Sequence, residues 1–164
     1  MLADGLRHHS WATERLLDAC AELAPEDLER HVPAVYGSML DTLRHLVDAD
    51  VWYLWGISGG TLGRDDFDAD ALALADVRAA AIEAAAGWER LLERDLDPDV
   101  DVVTSGAGRS FRHATAGIRL AQVVHHGTDH RSQVCTALTT MGVTPPDIDV
   151  WGYGETVGRS RFGE

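Results

Sequence analysis

Apolar side chains recur at intervals of three and four along four stretches of the chain, and each stretch is closed by a helix breaker. Leu6, Trp11, Leu16, Leu17, Cys20 and Leu23 predict an amphipathic helix over residues 3–23, ended by Pro25. Residues 26–29 read as a short helical turn, and residues 31–35, with Pro33, as a connection. Ser38 opens a second helix, with Asp41 completing a capping-box pattern; its stripe is Leu43, Leu46, Leu54 and Ile57, and Gly59 and Gly60 stop it. The third helix starts at residue 70 or 76, carries the strong helix-forming run of residues 79–86, and ends near residue 96 before Asp97-Pro98. The fourth spans residues 115–141, because Gly142 suits a left-handed C-cap and Pro145-Pro146 bars continuation.

Between these helices the pattern changes. Residues 61–70 are polar and acidic and read as a surface loop able to lid a pocket. Val100, Val102, Val103, Phe111 and His113 flank a Ser105-Gly106-Ala107-Gly108-Arg109 segment, which predicts a small hairpin or irregular crossover. The tail after residue 147 offers Trp151 and Tyr153 to pack back on the helices. Four helical faces, each needing burial, predict an all-α chain: an antiparallel four-helix bundle with a long crossover between the second and third helices. At 164 residues this is one domain, 1–164.

Charge and composition narrow the function. Twenty-seven acidic against fourteen basic side chains give a formal charge of -13, which repels phosphate backbones and anionic lipid surfaces, so neither nucleic acid nor membrane is an expected partner. No apolar run approaches the ~18 residues of a bilayer span, and the N-terminus lacks signal-peptide character; a cytoplasmic location is expected. Every basic residue is arginine, the bias of a GC-rich genome. Cys20 and Cys135 each fall inside a predicted helix and read as buried thiols.

The candidate chemistry lies in the fourth helix. His126 and His130 are four apart, so they project from one face and suit a shared metal ion, although that spacing alone serves ordinary core histidines equally well. Gly127 stands where a zinc-protease helix carries glutamate, which excludes that signature. On the second helix, Ser38, Thr42, His45, Ala49 and Trp52 form a stripe of small residues around one imidazole, leaving room for a ligand. Asp41, Asp48, Gln122 and Asp129 lie within a turn of one of these histidines and are candidates for fixing their tautomers. Arg131 is assigned to Asp147 or Asp149, pinning the tail.

The run His126-Gly127-Thr128-Asp129-His130-Arg131-Ser132-Gln133-Val134, followed by Leu138, Gly142, Pro145, Pro146 and Asp149, resembles the closing signature of the DinB/YfiT-like superfamily, with Ser132 where glycine is frequent. Residues 37–52, a serine-capped start leading to His45, Asp50 and Trp52, resemble its second-helix signature, and His9-Ser10-Trp11-Ala12 its opening helix. The resemblance implies His45, His126 and His130 as ligands of one divalent metal ion. Three imidazoles suit zinc or nickel and leave a position for water or substrate.

Relatives in that superfamily include thiol-dependent transferases, which implies a metal-dependent transferase activating a low-molecular-weight thiol of the mycothiol or bacillithiol type toward a small electrophile. Trp52, Thr42 and Ala49 are the expected substrate contacts. The alternatives are a metal-dependent hydrolase, with Asp48 or Asp129 as general base, and a non-catalytic, stress-associated metal- or ligand-binding protein. Exposed-looking aromatics such as Trp55 and Trp151 predict a homodimer. His8, His9, His31, His113 and His125 are expected to be dispensable for the metal.

Overall fold

The computed structural model describes residues 2–33, 35–106, 109–161 and 163. Four long helices carry the chain: α1 (Leu2–Ala21), α3 (Met39–Ile57), α4 (Leu74–Leu92) and α5 (Ala116–Thr140), with short α2 (Pro25–Leu28) and α6 (Val150–Thr156). A two-stranded antiparallel sheet, β1 (Asp101–Gly106) and β2 (Arg109–Thr115), leads into α5. The chain is thus mainly helical, and of the hairpin or crossover that the sequence leaves open the structure has the antiparallel strand pair; Ala107 and Gly108 of the flanked segment lie outside the described residues.

Local chemistry sets the helix ends. Ser38 accepts from the Asp41 backbone N–H while the Asp41 side chain accepts from the Ser38 N–H, the reciprocal capping box that starts α3. The Thr115 hydroxyl caps α5 through the Ile118 N–H. At its other end Gly142, at φ 78, lets its own N–H reach the Thr139 carbonyl and the Val143 N–H reach Leu138, the paired bonds of a Schellman ending. Helix α4 stops at Leu92, short of residue 96. Pro98 disfavours helix at the residue before it, and Arg94 turns to bond the Ser58 carbonyl and the Thr61 hydroxyl. The tail also differs from expectation: Asp149 caps a seven-residue helix, Tyr153 packs inward, and Trp151 is 73% exposed.

Helix α1 packs against α4 and α5, and α3 packs against the same two. Two apolar clusters fill the space between them. One joins Leu16, Leu17 and Cys20 of α1, Met39, Leu43 and Val47 of α3, Val77 to Ala84 of α4, and Val134 to Leu138 of α5. The other joins Leu6, Leu54, Ile57, Trp88, Leu91, Leu120 and Val123. The late part of α1 therefore meets the early parts of α3 and α4 and the late part of α5. Helices α1 and α5 run one way and α3 and α4 the other, which requires the long crossover of residues 58–73 to carry the chain back between two parallel helices. Between the apolar clusters lies a buried polar layer, and the candidate site abuts it.

Candidate metal centre

The predicted histidines converge. Helix α5 presents His126 and His130 one turn apart, and α3, packed along it in the opposite direction, presents His45 between them. Ring centroids are 5.1 Å apart for His45–His126, 4.8 Å for His45–His130 and 4.4 Å for His126–His130. One nitrogen from each ring lies within 4.8 Å of the other two. All three residues are half-buried.

The donor set fits a divalent ion. The Nε2 atoms of His45 and His126 are 3.2 Å apart, and two nitrogens held tetrahedrally at ~2.0–2.1 Å from zinc stand roughly 3.3 Å from one another. His130 Nδ1 lies 2.9 Å from Gln133 Oε1. That amide oxygen can only accept, so Nδ1 carries the proton and Nε2 keeps its lone pair for the centre. Burial, and then the neighbouring His130 and His45 rings, lower the His126 pKa to about 4, so its imidazole is neutral in the pH range where it would bind a metal.

Other side chains complete the surroundings. Tyr36 stacks on His45 at 4.6 Å and meets His130 edge-on at 6.0 Å, while Tyr53 meets His126 edge-on at 5.9 Å. A cleft of about 380 Å³ opens beside His45, lined by Tyr36, Gly37, Asp41, Arg44, Asp48 and Asp70. Of the residues expected to touch substrate, Trp52 is half-buried and edge-on to Tyr53 at 5.4 Å. Thr42 and Ala49 are buried. The Thr42 hydroxyl donates to the carbonyls of Ser38 and Tyr36, holding the Tyr36 segment against α3.

The DinB family model matches residues 2–159. The chain belongs to the DinB family. Protein DinB of Bacillus subtilis (strain 168) is 26% identical over 161 residues, covering 89% of each chain.

In this DinB-family protein, Arg131 does not reach Asp147 or Asp149. It is 2% exposed, and its Nη1 donates to His9 Nδ1 at 3.0 Å, to the Thr13 hydroxyl at 3.2 Å and to the His9 carbonyl at 3.4 Å. The assignment to the tail fails because Arg131 points into the polar layer, where Asp50 offers the compensating charge. Burial lowers the Arg131 pKa to about 10 against that attraction, so the guanidinium stays charged at neutral pH. The tail is pinned instead by His8 Nε2 to the Ile148 carbonyl at 2.8 Å, by Tyr153 against Trp11, and by the Arg159–Asp4 ion pair.

Sequence reasoning also passed over Tyr36, Tyr53 and Gln133. Gln133 stands one helical turn after His130, a legible signal for a tautomer-fixing partner. Among the residues proposed for that task, the Asp41 carboxylate serves the helix cap and Arg44, and Gln122 and Asp129 are exposed. Tyr36 sits in an irregular connection with no periodicity to mark it.

Proposed function

We propose that this DinB-family protein is a metal-dependent transferase, in which an antiparallel four-helix bundle holds one divalent ion, zinc or nickel, on His45, His126 and His130. Its task on this reading is to activate a low-molecular-weight thiol, of the mycothiol or bacillithiol type, toward a small electrophile. The observation that carries the reading is the convergence of three imidazole nitrogens within 4.8 Å beside an open cleft. When bound, a divalent ion supplies a Lewis-acid position that brings the pKa of a thiol or water toward neutrality.

The chain's own residues support the assignment. Gln133 orients His130, and burial keeps His126 neutral. Burial pushes the Cys20 thiol up to about 12 and raises that of Cys135, which disfavours either as an internal nucleophile and supports a thiol supplied from outside. The cleft beside His45, walled by Tyr36, Arg44 and Asp48, would receive the small-molecule substrate, whereas Thr42 and Ala49, expected as substrate contacts, are buried beneath that surface. The exposed pair Val150 and Trp151 supports pairing as a homodimer. No helix among the described residues is long and apolar enough to cross a membrane, and we place the protein in the cytoplasm.

One observation favours a second reading. Asp48 shares the cleft with His45, where a carboxylate could serve as general base for a metal-dependent hydrolase. Cobalt-substituted protein titrated with mycothiol, bacillithiol, glutathione and coenzyme A separates the two. The transferase reading expects sulfur-to-cobalt charge-transfer absorption with one of them and metal-dependent transfer to an electrophile, both lost in His130→Ala. No band with any of the four, together with metal-dependent ester or amide hydrolysis, assigns the hydrolase.

A further inference from the structure

The polar layer beneath the three histidines draws on all four long helices. His9 of α1 bridges Arg131 of α5 to Asp50 of α3, with Nε2 at 3.1 Å from Asp50 Oδ1, and Trp88 Nε1 of α4 donates to the same oxygen at 3.1 Å. His9, Asp50 and Arg131 are 1%, 8% and 2% exposed. A guanidinium can only donate, so His9 Nδ1 must accept and its single proton sits on Nε2, directed at Asp50. The contact with Asp50 is accordingly a hydrogen bond from a neutral ring, and the buried ion pair is Arg131 with Asp50, joined through that ring.

Each metal-site helix is held by this bridge next to its own ligands. Gly127 follows His126 and Arg131 follows His130, while Asp50 lies further along the α3 helix that carries His45. A Cβ at Gly127 would overlap the His9 ring and stand 2.7 Å from Arg131 Nη1, so the bare glycine backbone is what lets this turn of α5 close on α1. The three ligands come from two helices, and their spacing depends on how α3 and α5 are set against each other.

We propose that His9 is a positioning residue for the three-histidine centre: by spanning Arg131 and Asp50 it fixes the α5 turn carrying His126 and His130 at its distance from His45. This rests on the metal-binding reading above. Replacing the bridge leaves two buried charges to seek each other or water directly, and either rearrangement moves α5 against α3 and spoils the spacing of the nitrogens. His9 is not itself a ligand.

The test is cobalt(II) titration of wild type, His9→Leu, His9→Asn and His9→Gln, read as affinity and as the ligand-field spectrum at saturating metal. Glutamine can accept from Arg131 and donate to Asp50; asparagine is too short to span both, and leucine can do neither. His9→Leu and His9→Asn are expected to lose at least tenfold in affinity and to shift the cobalt bands, with His9→Gln recovering most of both. Wild-type affinity and bands in either His9→Leu or His9→Asn would overturn the proposal, and His9→Asn alone decides it if His9→Leu does not fold. Failure of the wild type to bind cobalt would instead remove the metal-binding reading itself.

Discussion

Replacing Gly127 by alanine should destabilise the protein although it adds a good helix former to the middle of α5. Taken alone, the exchange favours the helix by about 1 kcal/mol. Against this, the new methyl would overlap the ring of His9, which is buried and fixed by hydrogen bonds at both nitrogens, and would press on Arg131 Nη1 at 2.7 Å. Overpacking of a buried site costs ~1–3 kcal/mol, and displacing the ring weakens two hydrogen bonds to charged partners worth ~1.5–3 kcal/mol each. The steric and polar terms outweigh propensity, leaving a net loss of about 2–4 kcal/mol and a fall in Tm of roughly 6–12 °C for a chain of this size. Urea unfolding of the metal-free protein, followed by tryptophan fluorescence, measures it, since Trp88 donates into the same layer. Gly5→Ala is the control, because a Cβ there meets only Val124 at 4.0 Å and should leave stability unchanged or slightly raised. A Gly127→Ala protein as stable as the wild type would refute the account of the polar layer.

Asp50→Leu should cost ~3–5 kcal/mol by leaving Arg131 buried without its counter-charge, and Arg131→Met added to it should recover part of the loss, measurable as a double-mutant cycle by urea unfolding. In the metal-free protein the His126 pKa is lowered from 6.5 to about 4, so the stability carried by its neutral ring is complete above pH 6.5 and is lost as pH falls toward 4. Allowing for the partial exposure of that ring the effect is ~1–2 kcal/mol, absent in His126→Leu, and a wild-type profile in that variant would contradict it. Cys20, buried with its thiol pushed up to about 12, should resist iodoacetamide in the folded protein and react only on unfolding, as mass spectrometry of the alkylated protein would show.

Much of the helical framework was legible because its signals are local. The Ser38–Asp41 capping box and the left-handed Gly142 need only neighbouring residues, and both appear where the sequence placed them. Helix α6 escaped notice since seven residues with two glycines show no periodicity, although Asp149 three residues before Gly152 was a usable cap signal. The closeness of His126 and His130 follows from helical spacing, whereas the approach of His45 depends on how α3 lies along α5 and was reached through family resemblance. What sequence reasoning could not supply were the long-range partners. Arg131, which the sequence pairs with nearby carboxylates in the tail, is directed by burial to a histidine 122 residues away, and the helical period of α1 cannot name that partner for His9. Tyr36 stands beside His45 through an irregular connection held by Thr42, a contact with no sequence period.

The central claim is that His45, His126 and His130 form one metal site, and metal content tests it most directly. Wild type, His45→Ala, His126→Ala and His130→Ala, each loaded with zinc or nickel, freed of excess and shown to be folded by circular dichroism, would be measured by elemental analysis. The account predicts close to one equivalent per chain in the wild type and well below that in every variant, with His8, His31, His113 and His125 replaceable without loss. Full retention of metal in any of the three single variants, or its absence from the loaded wild type, would contradict it.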